Sequence, residues 1–438
     1  ALTARSCGIC PVSHLVASSK ACDQLLSVSI PPTAVKLRRI MNLAQLLQSH
    51  ALSFFHLSSP DLLLGWDSDP AQRNIFGVMR SHPQLAKDGI RLRQIGQVMI
   101  ETLGGKRIHP AWMVPGGVND PLTEEKRSSL LKMIPEGMTI ARRTYNLYKE
   151  LVSKFTDEAQ HFGNFPSLFL SLVTPRGGLE HYDGLIRIKD SEGNIVEDMV
   201  PPDEYQRIIG EAVEPYSYMK FPYYKRHGYP NGMYRVGPLA RLNNCDRCGT
   251  PFADVALAEF RTLQEARPVA SSFHYHYARL VEIIFALETI DRLLRDPKIL
   301  ETRIRARARS NQDEGIGVAE APRGILIHHY RINPRGLMTW MNLIIATGHN
   351  NLAMNRSVKQ VAERYVQGNR LQEGMLNRVE AIIRCYDPCL SCASHAWGQM
   401  PLEIELRAEG KVLAAWIEKP TPTPAAAWHT SIRRRSAP

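Results

Sequence analysis

No stretch of this sequence is apolar for long enough to cross a membrane. Its apolar runs, such as Leu62–Leu64 and Leu343–Ala346, fall far below the roughly 20 residues a spanning helix requires. Internal repeats are absent as well. With 44% hydrophobic and 22% charged residues, the composition is that of an ordinary globular protein. That excludes disorder, collagen and coiled coil for the chain as a whole. Basic residues exceed acidic ones, 54 against 43, for a net charge of +11. The excess is spread out and clusters only at Arg303–Arg309 and Arg433–Arg435. No recognisable nucleic-acid module accompanies it, so no nucleic-acid partner is expected. No G-x-G-x-x-G fingerprint opens a βαβ unit, and no dinucleotide site is expected on this chain. No signal peptide is read at the start, because Cys7 appears before any apolar stretch could form.

What the chain does have is paired cysteine. Six of its eight cysteines form three C-x-x-C pairs, Cys7/Cys10, Cys245/Cys248 and Cys389/Cys392, with Cys22 and Cys385 apart. Such a pair sets two thiols about one turn apart, able to share a metal ion or to bond each other. A thioredoxin-like redox pair needs a βαβ context, which none of the three has. Structural zinc takes two pairs roughly 12 to 20 residues apart in a small local module, whereas Cys7/Cys10 and Cys389/Cys392 lie near opposite ends. Iron–sulfur clusters also use four thiolates, but the clustered ferredoxin spacings are missing. The remaining option is a four-thiolate site for a softer metal, assembled from distant loops on folding.

The flanking residues separate these readings. The first pair stands in Arg5-Ser6-Cys7-Gly8-Ile9-Cys10-Pro11-Val12-Ser13-His14, the second in Asp387-Pro388-Cys389-Leu390-Ser391-Cys392-Ala393-Ser394-His395. They resemble the two signature motifs of nickel–iron hydrogenase large subunits, R-x-C-G-x-C-x-x-x-H and D-P-C-x-x-C-x-x-H, in the right order. Glu320-Ala321-Pro322-Arg323-Gly324 is similar to a third motif of that family. The stretches Gly348–Asn355 and Leu371–Arg378 look like the branch that serves NAD-reducing, bidirectional hydrogenases. The resemblance covers nearly the whole chain.

The chemistry agrees with the residue types. Splitting dihydrogen separates a proton from a hydride at a nonpolar, weakly basic molecule, and a soft, electron-rich metal must take the hydride; thiolate sulfur suits such a centre. The resemblance implies a Ni-Fe centre whose iron carries CN and CO. Cys7 and Cys389 match its terminal nickel ligands, and Cys10 and Cys392 its nickel–iron bridges. Two candidates for the base follow, the Cys389 thiolate and the Arg323 guanidinium. Arginine is a poor base at its pKa above about 12; it can instead orient H2 and hydrogen-bond the cyanides. Asp387 matches a carboxylate that orients the site, and Asp61 another. His14 matches a hydrogen-bonding motif residue, Arg5 a structural one. His395 matches the ligand of a Mg or Fe ion near the C-terminus. His50, His56, His328 and His329 read as core or surface histidines, Cys245/Cys248 as buried or incidental thiols, and Cys22 and Cys385 as small core residues.

The family resemblance also sets the expected partners. Electrons are expected to leave through Fe-S clusters on a small subunit, then through an FMN-bearing diaphorase, to NAD. NADP or coenzyme F420 as acceptor, or an inactive or truncated homologue, stands as the alternative. A cytoplasmic location, nickel chaperones and a maturation endopeptidase cutting His395–Ala396 follow from the same likeness. Residues 1–395 are therefore read as the large-subunit domain, and 396–438 as the maturation extension with a disordered end. The domain is read as N-terminally incomplete: only six residues precede Cys7, and the family's R-G-x-E segment is not among them.

The fold class expected is mainly α, a helical core with small β hairpins. Although about three domains would suit this length, no linker divides Cys7 from His395. Apolar spacing predicts helices over Val35–His56, Ser128–Phe162, Asp254–Arg295 (bent or interrupted near Pro268) and Asn350–Cys385, with Gly368 and Gly374 as possible breaks. Hairpins are expected over Leu185–Val196 and Leu402–Leu413, and a strand over Ile325–Ile332.

Overall fold

In the computed structural model, residues 3–217, 219–264, 267–368, 371–393, 402–408 and 411–418 are described. The expected disordered end, 419–438, lies outside them. Two buried helices form the centre. Pro32–Ala51 opens on a proline, whose missing N–H is unneeded at a helix start, and continues into a π-helical stretch, Leu52–Ser58, rather than running on to His56 as one α-helix. Tyr275–Arg295 is buried without interruption from Tyr275 to Leu287, as befits a helix apolar nearly all round. Pro83–Gly104 and Glu124–Val152 pack against this pair. The architecture is mainly α with small sheets, as expected. No described helix is long and apolar enough to cross a membrane.

Three long helices read from the sequence are each two. Ser128–Phe162 divides into Glu124–Val152 and Thr156–His161, because Phe155 turns inward onto Trp66 and Phe273. Asp254–Arg295 divides into Pro251–Arg261 and Tyr275–Arg295, with Pro268 in the connection. Asn350–Cys385 divides into Asn351–Tyr365 and Glu373–Tyr386. Its break falls at Gly368, whose φ of 81° suits glycine, while Gly374 lies inside the second helix.

The strand expected near Ile325 is Gly324–Ile332, the middle of an antiparallel sheet between Glu314–Ala321 and Met338–Ile344. Ala321 pairs with Gly324, so Pro322 and Arg323 form the tip of a tight hairpin. Helix Pro11–Leu25 lies on the outer strand. A Cβ at Gly317 would sit 1.9 Å from the Ala17 carbonyl oxygen, and one at Gly315 2.3 Å from that of Ala21. Only glycine lets backbone meet backbone here, and this approach aligns Cys10 and His14 with the Arg323 turn. Leu185–Lys189 and Ile195–Val200 form the expected hairpin at the edge of a four-stranded sheet. Leu402–Ala408 pairs with Lys411–Glu418.

Candidate metal centre

Each cysteine pair is held by local structure. Cys10 caps helix Pro11–Leu25, and the Ile9 carbonyl beside it accepts from Gln45 Nε2 at 2.9 Å and Gln48 Nε2 at 3.0 Å. The Ile9 and Cys10 amides both donate to Cys7 Sγ at 3.2 Å. At the other end, helix Glu373–Tyr386 stops at Asp387, which is left-handed with a φ of 53°, and Pro388 prevents its continuation. The Cys389 amide then donates to Thr347 Oγ1 at 2.9 Å.

Folding brings the two pairs together. The Sγ–Sγ distances are 3.4 Å for Cys7–Cys389, 3.2 Å for Cys10–Cys392, 3.3 Å for Cys7–Cys10 and 3.2 Å for Cys389–Cys392. All four sulfurs lie within 4.8 Å of one another and all four residues are buried. Among the described residues this is the one cluster of cysteine, histidine or carboxylate side chains suited to a metal ion.

Their electrostatics call for a cation. Hydrogen bonds from Cys10, Cys389 and Cys392 hold the Cys7 thiol well below its ordinary value, and Cys10 and Cys392 bring Cys389 down to about 7. The same crowding, with burial, pushes Cys10 up. Cys392, eased by Cys10 but opposed by Cys389 and Cys7, is pushed up as well. The cluster sheds some protons readily and the rest only when positive charge enters it. Four soft, convergent donors fit a nickel–iron centre.

Beside the sulfurs is a recess of about 10 Å³, bounded by Arg323 and Thr347 and by the apolar Leu326 and Ile345. Arg323 donates through Nε to the Asp387 carbonyl, through Nη2 to Asp387 Oδ1 at 3.0 Å and through Nη1 to Ser49 Oγ at 3.3 Å. Burial opposes its charge, but Asp387 and the nearby thiols outweigh that and hold its pKa above the ordinary arginine value. Asp387 Oδ2 is buried with no hydrogen-bond partner among the described residues.

His14 Nε2 lies 3.4 Å from Cys392 Sγ, and its Nδ1 lies 3.1 Å from His328 Nε2. His328 Nδ1 in turn meets the Tyr330 hydroxyl at 2.5 Å. Burial brings His14 down to about 4, against the pull of Cys7, and holds His328 well below its usual value. Both imidazoles are therefore neutral. Two proton arrangements satisfy the row, one running as donors from Tyr330 through His328 and His14 to Cys392 and the other running the opposite way. His328, read from sequence as a core or surface residue, is the second member of this row.

Asp61 is buried but has other partners. It accepts from Arg384 Nη1 at 2.9 and 3.1 Å and from Arg73, and neither Arg323 nor a clustered cysteine is among them. Its pair with Arg384 fastens the helix that delivers Cys389. His395 lies outside the described residues. Cys245 and Cys248 are buried, and neither belongs to the four-sulfur cluster.

Sequence reasoning missed Arg241. Fully buried, it donates to both oxygens of Glu282 at 2.5 and 2.6 Å, to Glu320 at 2.8 Å, and to the Ala321 and Pro322 carbonyls at 3.0 and 3.1 Å. These carbonyls immediately precede Arg323, so Arg241 clamps the turn that presents it. Despite the penalty of burial, Arg241 keeps Glu282 well below the usual carboxylate range. His50, brought down to about 4 by burial, donates to Glu282 from the other side at 2.7 Å. The only local signal was an arginine on a short apolar helix, Pro238–Asn244. Arg241→Met should lower stability by roughly 3–5 kcal/mol, since it strands two buried carboxylates. A urea-unfolding midpoint equal to that of the parent protein would refute this clamp.

Four buried sulfurs from opposite ends of a helical chain, beside a charged arginine, make a site that fits a soft metal ion. The chain belongs to the nickel-dependent hydrogenase family, whose model matches residues 1–66 and 182–395, and its activity is that of a nickel–iron hydrogenase. Over 418 residues it is 41% identical to a component of the F420-non-reducing hydrogenase vhc of Methanococcus voltae, covering 94% of this chain and 88% of that protein. To the NAD-reducing hydrogenase HoxS subunit beta of Cupriavidus necator it is 40% identical over 417 residues, covering 92% and 85%. The crystal structure of an NAD+-reducing nickel–iron hydrogenase in the H2-reduced state matches with a TM-score of 0.87 and 46% identity, covering 90% of this chain and 87% of that one.

Proposed function

We propose that this chain is the catalytic large subunit of an NAD-linked hydrogenase, cleaving and forming H2 reversibly. Its electrons pass through an iron–sulfur small subunit, then through a flavin-bearing diaphorase, to NAD+. The observation that carries the NAD assignment is the likeness to the NAD+-reducing enzyme, at 46% identity over 90% of this chain. An F420-linked acceptor is disfavoured by the Methanococcus relative, which is named for not reducing that coenzyme.

When bound, the nickel–iron group, with its cyanide and carbon monoxide, supplies the soft metal that takes up dihydrogen. Cys7, Cys10, Cys389 and Cys392 would hold it through their four sulfurs. Arg323 stays charged, because its guanidinium is intrinsically basic and is ion-paired with Asp387. It therefore acts as a donor and orients substrate and cyanide, which leaves the Cys389 sulfur to accept the proton. Asp387 holds Arg323 in place. His14 donates to Cys392 and fixes that sulfur's lone pairs, as outer hydrogen bonds do for metal ligands. Asp61 acts further out, through Arg384.

The family match ends at residue 395, which supports reading 396–438 as the extension removed after His395 once chaperones have delivered nickel. His395 is assigned to a Mg or Fe ion, and the location to the cytoplasm. The test is the complex purified from a cell with the maturation enzymes. Under H2 it should reduce NAD+ in preference to NADP+ and F420 and contain stoichiometric nickel. Preference for either other acceptor, with nickel present, would overturn the NAD assignment alone. Zinc in place of nickel would overturn the catalytic one.

A further inference from the structure

A cavity of about 420 Å³ opens where helices Pro32–Ala51 and Tyr275–Arg295 meet the segment 174–182 and the loop 247–249. None of the four clustered cysteines lines it. Its charge is lopsided. Arg39, Arg176, Arg247 and Arg292 converge on it, and Glu180 is its one carboxylate. Glu180 is committed to Arg39, which grips both its oxygens at 2.6 and 2.9 Å. Arg292 donates to the Gly249 carbonyl at 3.1 Å. Arg176 and Arg247 are exposed, and neither has a side-chain hydrogen bond or ion pair among the described residues. The inner wall is apolar: Leu43, Leu179 and Phe285 are buried there.

Like charges around one concavity repel each other unless an anion sits among them, and a pocket with low-dielectric walls concentrates their field. Guanidinium forks match phosphate and carboxylate oxygens in pairs. The volume lies within the range of small-molecule sites, whose usual lining is apolar with a few directing polar groups. We propose that this cavity binds a small organic anion, its phosphate or carboxylate held by Arg176, Arg247 and Arg292 and its apolar or aromatic body lying against Leu43, Leu179 and Phe285. The site requires neither the metal centre nor the NAD acceptor.

The cavity wall also touches the hairpin that carries Arg323. Asn42 lines the cavity and donates from Nδ2 to the His181 carbonyl at 3.0 Å and the Glu320 carbonyl at 3.3 Å. The Glu320 amide donates to the His181 carbonyl at 3.0 Å. Ordering the segment 178–182 around a ligand therefore also orders the strand leading to the turn.

The test is titration calorimetry on the purified complex with three probes: adenosine 5′-monophosphate, which carries both headgroup and aromatic body, inorganic phosphate and adenosine. The monophosphate is expected to bind at least about tenfold more tightly than either fragment. Replacing two arginines, Arg176→Ser with Arg247→Ser, should weaken it about 100-fold or more, because each substitution removes a charge-assisted contact to the anion. Both residues are exposed, so folding does not depend on them. Amide exchange with the monophosphate bound should slow over 174–182 and at Glu320. Equal affinity for phosphate and the monophosphate would mean an adventitious ion only and would overturn the proposal. So would an absence of protection over 174–182 with the monophosphate bound, or no binding of any probe, as when a partner's acidic segment fills the cavity.

Discussion

Cys389→Ser is expected to abolish nickel retention and, with it, hydrogen-dependent turnover. The substitution alters little else. Cys389 is buried beside Cys7 and Cys392 at 3.4 and 3.2 Å, serine is nearly the same size, and the bond from the residue 389 amide to Thr347 Oγ1 survives because it is made by backbone. What changes is the donor. A metal ligand has to give up its proton, and a serine hydroxyl does so far less readily than a thiol. The hard oxygen also suits soft nickel poorly. Elemental analysis should find the variant without nickel. If cleavage after His395 follows nickel loading as proposed, intact mass should find it still carrying residues 396–438. Stoichiometric nickel in this variant would remove Cys389 from the ligand set.

Arg323→Lys is expected to lower turnover by about 10²-fold or more while nickel stays bound, in line with the loss of one preorganised donor in an enclosed site. The lysine keeps the positive charge opposite Asp387 but not the fork. Arg323 makes three directed bonds, to the Asp387 carbonyl, Asp387 Oδ1 and Ser49 Oγ, and one ammonium cannot reproduce that geometry beside the sulfurs. Arg323→Met should be worse in a second way. Asp387 would be left buried without its cation, at a cost of roughly 3–5 kcal/mol in stability. Nickel content, turnover and unfolding midpoint measured together separate the two variants. Parent-like turnover in Arg323→Lys would reduce Arg323 to a structural ion pair.

Much of the centre was legible in the sequence. The two C-x-x-C motifs and Arg323, found through Glu320–Gly324, pointed to residues that folding brings to one place. Helix existence was readable where apolar periodicity is strong, but lengths were not. Phe155 ends a helix because of contacts with Trp66 and Phe273, which no local pattern records. Pro268 marked a bend or an interruption, and the structure has the interruption, with Pro268 in the connection between two helices. Asp61 illustrates another limit: the resemblance matched it to a carboxylate that orients the site, and only the structure shows that its partners are Arg73 and Arg384.

By itself, the sequence determined the kind of centre. Two thiols three residues apart are neighbours whatever the rest of the chain does, and their softness selects the metal class. Only the tertiary structure decided that Cys7 and Cys389, 382 residues apart, share one site. That meeting depends on a helix resting backbone to backbone on Gly315 and Gly317 and on Arg241 clamping the turn before Arg323. The cavity ringed by Arg39, Arg176, Arg247 and Arg292 belongs to the same category. Those arginines are scattered along the chain as ordinary surface charge, and they acquire a common field only when folding points them at one space.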